Sequence, residues 1–163
     1  MREIVINTGP IIALSAAIGS LTWIGLLYDK VVVPGEVFEE LSAGGPLTTE
    51  TGLVNSAGDR FVVMPRLDSI RQSLLSELDF GEASVLETAI RNGISTVVID
   101  EVAGRRIARI HGLKVTGSLG ILVRAKSLGI IGEVRMCLQK MRDHGIWISE
   151  ELAHEILVAA REV

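Results

Sequence analysis

Six acidic or amide side chains stand where a parallel α/β sheet would bring them together. Asp100 and Glu101 close the apolar run Thr96-Val97-Val98-Ile99, and Asn7 closes the run Ile4-Val5-Ile6. Asp79 and Glu82 stand at the start of a helical segment, and Glu40 lies one turn from the end of the helix that follows Pro34. Carboxylates drawn to one place repel each other and are usually reconciled by a hard, oxygen-loving divalent cation such as Mg²⁺ or Mn²⁺. That chemistry suits phosphodiester cleavage, where the cation activates water, neutralises phosphate charge and stabilises the leaving oxygen. Each residue also has a purely structural reading. Asp79, Glu82 and Asp100 would serve as helix caps or macrodipole partners, Glu40 as a solvated helix-face residue, and Asn7 as a turn residue before Thr8-Gly9-Pro10. Periodicity leaves both sets of readings open.

Strands alternating with helices must position these residues. Ile4 to Ile6 predicts a strand, Thr8-Gly9-Pro10 a turn, and Ile11 to Ile18 a helix stopped by Gly19. Leu21 to Leu27 reads as a second helix, Val31 to Val33 as a strand, and Pro34 to Leu41 as a helix. The Gly-, Thr- and Ser-rich stretch 44–58 is the best candidate for a mobile excursion. Arg60 to Met64 predicts a strand, Leu67 to Leu78 a helix, and Glu82 to Arg91 a helix ended by Asn92-Gly93. After the strand at Ser95 to Ile99 come a helix from Val102 to His111 and a short strand at Leu113 to Val115. Helices at Leu119 to Leu128, Glu133 to His144 and Glu150 to Arg161 follow. Strands that are apolar throughout belong to a parallel sheet covered on both faces. Such sheets bind ligands at the carboxyl ends of their strands.

The composition narrows the function classes. One domain is the expectation for 163 residues, with 48% hydrophobic residues and a mean hydropathy of +0.42. The single Cys137 excludes an intrachain disulfide or a cysteine-based zinc site and suits a reducing cytoplasm. A net charge of −4 excludes nucleic-acid binding by bulk positive charge, so any such contact needs a local basic patch. Ile4 to Tyr28 runs 25 residues without a charge. Asn7, Pro10 and the scattered Ser, Gly and Thr make it a poor membrane span, and a buried strand with buried helices is the expectation. There is no Gly-rich phosphate loop.

Arg105, Arg106, Arg109, His111 and Lys114 form the local basic cluster. On a helix Arg105 and Arg109 share a face and could hold nucleic-acid phosphates, although a solvated helix face explains them equally well. His111, His144 and His154 lack metal-ligand spacing and read as surface or cap residues. Trp23 and Trp147 read as core or interface anchors. The helices from Leu21 and Leu119 carry more Leu and Ile than one small sheet can cover, so an apolar patch pairing two identical chains is expected.

In this order the motifs resemble a PIN domain. The first strand and turn are similar to Ile4-Val5-Ile6-Asn7-Thr8-Gly9-Pro10, and the second acidic motif to Val37-Phe38-Glu39-Glu40-Leu41. Leu78-Asp79-Phe80-Gly81-Glu82-Ala83 resembles the third, and Val98-Ile99-Asp100-Glu101 with Gly104-Arg105-Arg106 the fourth. Gly112 to Leu122, with Ala125-Lys126 and Gly129, looks like the signature of one uncharacterised prokaryotic branch. The resemblance implies a three-layer α/β/α sandwich with a small parallel central sheet. It would form a single domain over residues 1–163 with C-terminal helices from about 133 to 161.

The resemblance also implies a Mg²⁺- or Mn²⁺-dependent endoribonuclease related to VapC-type toxins, with a small antitoxin and a second copy as partners. Glu40 would be the second acidic ligand, in preference to Glu39, with Glu82 the third and Asp100 the fourth. Asp79 and Glu101 would be neighbours, and Asp79 a further candidate ligand. Thr8 and Ser118 would be polar neighbours of the site that join Arg105 and Arg109 at the RNA. The oxygens of Glu40, Glu82 and Asp100 are expected within reach of one cation. Asn7 departs from the family's Asp at the first position, and an amide binds hard cations more weakly. A catalytically inactive PIN-fold binding protein is the alternative.

Overall fold

The computed structural model describes residues 1–43 and 49–163. Five strands form one all-parallel sheet: β1 (Glu3–Ile6), β2 (Lys30–Val33), β3 (Phe61–Val63), β4 (Thr96–Val98) and β5 (Lys114–Thr116). Their spatial order is β3-β2-β1-β4-β5. Ile4, Val5, Ile6, Val31, Val32, Val33, Val97 and Val98 are wholly buried, as strands covered on both faces must be. Each such aliphatic side chain contributes roughly 1.5–3 kcal/mol by leaving water.

Nine α-helices lie among the described residues. They are α1 (Thr8–Ile18), α2 (Gly35–Ser42), α3 (Thr49–Asn55), α4 (Gln72–Leu75), α5 (Phe80–Asn92), α6 (Val102–Ile110), α7 (Ser118–Ser127), α8 (Val134–Asp143) and α9 (Glu150–Ala159). Helix α5 packs on β1 and β4 and α6 on β5, while α1 packs against α7 and α8, giving the α/β/α sandwich that the sequence implies. The chain lays β2 and β3 to one side of β1 and then returns to place β4 on the other. The sheet therefore has its switch point between β1 and β4, where α/β sheets open a ligand crevice.

The uncharged stretch from Ile4 to Tyr28 folds as β1, α1 and a 3-10 helix at Thr22–Leu26, all packed on the core. Among the described residues no helix is long and apolar enough to cross a membrane.

Four element expectations need correction. Thr8-Gly9-Pro10 is the first turn of α1 rather than a turn ahead of it. Leu21 to Leu27 is a five-residue 3-10 helix rather than an α-helix, set between the left-handed Gly19 and β2. Leu67 to Leu78 is helical only at α4. The preceding backbone is committed to distant partners: Leu67 N–H donates to Glu36, Arg71 N–H to Glu87, and the Ser69 carbonyl accepts from Arg91. Those bonds displace the i to i−4 ladder that a longer helix would need. In the stretch 44–58, Thr49–Asn55 is helix α3, and residues 44–48 lie outside the described residues.

Candidate active site

Each strand end on either side of the switch point delivers one polar residue. Asn7 follows β1, and its backbone N–H donates to the Val98 carbonyl at 3.0 Å, which extends the β1–β4 ladder by one step. Its side chain is 6% exposed and makes no hydrogen bond among the described residues, so it is not a side-chain cap for α1. Asp100 follows β4 and accepts from Ser118 N–H at 2.8 Å and Ser118 Oγ at 2.9 Å. Asp100 therefore satisfies the N-terminus of α7, whereas the N-cap of α6 is Glu101, without a side-chain cap bond.

Helix α5 begins with a capping box. The Asp79 carboxylate accepts from Glu82 N–H at 2.8 Å, and the Glu82 carboxylate accepts from Asp79 N–H at 3.2 Å. The capping reading of these residues is thus correct as far as it goes. Both also line a pocket of about 340 Å³ together with Asn7, Thr8, Glu40, Asp100 and Glu101. Capping and presentation to the pocket are compatible because a helix N-terminus aims its first side chains at the same rim as its free N–H groups.

Glu40 reaches this pocket from α2 and accepts a 2.7 Å hydrogen bond from Thr8 Oγ1. Glu39 points elsewhere, into an exposed ion pair with Arg66 at 2.9 Å.

Three glycines make room for three carboxylates. A β-carbon on Gly81 would run into the carboxyl group of Glu40. One on Gly104 would stand 3.3 Å from Glu82 Oε1 and 2.9 Å from Ile99 Cγ2, and one on Gly117 would stand 2.8 Å from Asp100 Oδ1. The glycines were visible in the sequence as motif members, but their role depends on approaches between distant segments that no local pattern encodes. Buried Glu36, whose Oε1 has no partner among the described residues and whose Oε2 accepts from Leu67 N–H, gave no sequence signal as a buried group.

The pocket is electrostatically poor in positive charge. Glu82 is only 7% exposed, and burial first and the charge of Asp79 next push its carboxyl above the ordinary carboxylate range, with Glu101 adding to the effect. An oxygen-only donor set with surplus negative charge, cradled by glycines, fits a hard divalent cation and does not fit a thiolate- or imidazole-seeking one. Glu40, Glu82 and Asp100 share the pocket, as expected, but their oxygens are not gathered about one point. Among the described residues no three His, Cys, Asp or Glu side chains form a group able to hold an ion in this arrangement. The reason is visible in the bonding: Thr8 holds Glu40, the Asp79 backbone holds Glu82, and Ser118 holds Asp100.

The basic candidates divide. Arg105 turns inward, donating from Nη1 to the Ile99 carbonyl at 2.9 Å, and braces the β4–α6 turn. Arg109 is exposed and unpaired among the described residues. Ser118 is buried and spends its hydroxyl on Asp100, so its observed work is to orient that carboxylate. His111 and His144 end α6 and α8 as exposed C-caps. Trp23 is buried in the core, but Trp147 is 85% exposed between α8 and α9 and is no core anchor.

The five-stranded all-parallel sheet flanked by helices, with acidic residues at its switch point, is consistent with a PIN-like α/β/α sandwich. The family model for a PIN domain matches residues 3–162, and the chain belongs to the PIN-domain family, whose members generally use divalent metals. No curated protein and no solved structure matches the chain.

Proposed function

We propose that this protein is a Mg²⁺- or Mn²⁺-dependent endoribonuclease, weakened by Asn7 at its first acidic position. The observation that carries this reading is the meeting of Glu40, Glu82 and Asp100, drawn from three separate segments, in one pocket at the switch point. These three residues would hold the cation, with Asp79 beside them. When bound, the cation would supply Lewis-acid activation of water and charge neutralisation at the phosphodiester. The chain's own residues hold these carboxylates at the rim of the pocket, by bonds that would have to be exchanged for the ion. Thr8 orients Glu40, Ser118 orients Asp100, and the capping box fixes Glu82 at the first turn of α5. Asn7 lines the same pocket, and Arg109, exposed in the last turn of α6 and outside the pocket lining, would be a phosphate contact for RNA that runs on past the pocket.

Incubation with end-labelled single-stranded RNA tests this reading. Slow cleavage is expected with Mn²⁺, none with excess chelator, and a loss on the order of 100-fold in Asp100→Asn. The amide at position 7 favours a second reading, a catalytically inactive PIN-fold protein acting through RNA or a protein partner. RNA bound without cleavage under any metal condition would establish that reading over the first.

The proposed setting is a reducing cytoplasm, compatible with one buried free cysteine, Cys137. The proposed partners are a small antitoxin and a second copy of the chain. Leu26, Leu128 and Trp147 are exposed apolar side chains available to a dimer contact. Sedimentation at micromolar concentration is expected to give a species of twice 17.5 kDa, and only the 17.5 kDa species would remove the dimer.

A further inference from the structure

Helix α6 buries one face and leaves the other unpartnered. Gly104, Ile107 and Ala108 pack inward. On the outer face Val102 is 81% exposed and Ile110 is 69% exposed, with Arg106 midway between them. The spacing i, i+4, i+8 puts these three on one stripe, the two aliphatic side chains about 12 Å apart along the helix. Arg109 flanks the stripe. Neither Arg106 nor Arg109 has a hydrogen bond or ion pair among the described residues.

The charge of this region is only partly balanced: of its cations Lys126 alone pairs with a carboxylate among the described residues, Glu162 at 2.8 Å. From Val102 to Gly132 the sequence contains no Asp or Glu, while Arg105, Arg106, Arg109, Lys114, Arg124 and Lys126 carry positive charge in a chain of net charge −4. Several arginines elsewhere find carboxylates: Arg60 pairs with Asp29, Arg66 with Glu39, Arg71 and Arg91 with Glu87. The outer face of α6 therefore presents two exposed aliphatic anchors around an unsatisfied cation.

We propose that this face docks an acidic amphipathic helix of a protein partner, its two apolar side chains seated on Val102 and Ile110 and a carboxylate between them on Arg106. A second copy of the chain is a poor occupant, because two-fold pairing centred on this stripe would set Arg106 against its own image. RNA phosphates would use the arginines but leave Val102 and Ile110 in water, so the aliphatic pair favours protein. Docking here does not require the acidic pocket to bind metal, and its failure would leave the nuclease reading untouched.

Selection of displayed, randomised 20-residue peptides on the full chain tests the proposal. Enriched peptides are expected to carry Asp or Glu flanked by apolar residues. A synthetic copy of one, followed by fluorescence anisotropy, should lose about tenfold in affinity with Ile110→Ser and with Arg106→Glu. Both substitutions are on the surface, and circular dichroism melts should match the parent. Enriched peptides without acidic residues, or peptides unmoved by either substitution, would overturn the proposal. So would a 12-nucleotide uridine RNA whose binding falls with Arg106→Glu and not with Ile110→Ser while no acidic peptide is selected, since the face would then be an RNA track.

Discussion

Asn7→Asp is expected to raise Mn²⁺ affinity on the order of 10- to 100-fold, because a full charge replaces an amide dipole among hard oxygen donors. Any ribonuclease rate should rise with it. The position favours a large effect: Asn7 is buried, makes no side-chain hydrogen bond among the described residues, and lines the pocket with Glu40, Glu82 and Asp100. In the metal-free protein the same substitution should reduce stability by about 1 kcal/mol through repulsion with carboxylates that already crowd the pocket. Saturating Mn²⁺ should restore that loss. Paired urea titrations with and without metal, alongside cleavage assays, measure both effects. An unchanged rate and affinity would count against the metal-nuclease reading while leaving the fold intact.

The second large effect concerns a carboxylate outside the pocket. Glu87 on α5 is buried, and its oxygens accept from Arg71 Nε at 2.7 Å, Arg71 Nη2 at 3.1 Å and Arg91 Nε at 2.9 Å. Burial opposes its charge, but the bonds from Arg71 and Arg91 win and hold its pKa down at about 2. A group held below its ordinary pKa of 4.5 stabilises the fold above that value, and the stabilisation is lost as pH falls from 4.5 towards 2. Because both arginines are partly exposed, the contribution is about 2 kcal/mol rather than the full value of the shift. Glu87→Gln should cost about 3 kcal/mol at pH 7, since it leaves two arginines facing a neutral amide. It should also remove Glu87's share of the stability that the parent loses between pH 5 and pH 3, to which Glu162 with its own lowered pKa contributes as well. Urea unfolding at pH 7, 5 and 3 reads both quantities, and equal midpoints for the two proteins at pH 7 would refute the assignment.

The strands and the polar residues at their ends were legible because a buried parallel strand is apolar throughout and stops where it meets solvent. Ile4-Val5-Ile6-Asn7 and Val97-Val98-Ile99-Asp100 each carry that pattern in a few residues. Preference for Glu40 over Glu39 came from the family resemblance, and the pocket contains Glu40 and not Glu39. What stayed hidden was set by long-range bonding. The segment from Leu67 to Arg71 has ordinary helix formers, yet Glu36, Glu87 and Arg91 claim its backbone. Arg105 and Arg109 share a helical spacing, yet the Ile99 carbonyl draws Arg105 inward. Asp100 looked equally suited to cap the helix that follows it and serves α7 instead, a partner eighteen residues away. No pattern over a few neighbouring residues carries that information.

The most direct measurement is calorimetric titration of Mn²⁺ into the full chain at neutral pH, repeated with Glu82→Gln and Asp100→Asn. Saturable binding by the parent, weakened on the order of 10-fold or more by each substitution, is the expected result. The three carboxylates would then leave their Thr8, Asp79 and Ser118 partners to share an ion. An absence of binding heat in the parent at millimolar Mn²⁺, or binding that neither substitution changes, would contradict a metal site built from these residues.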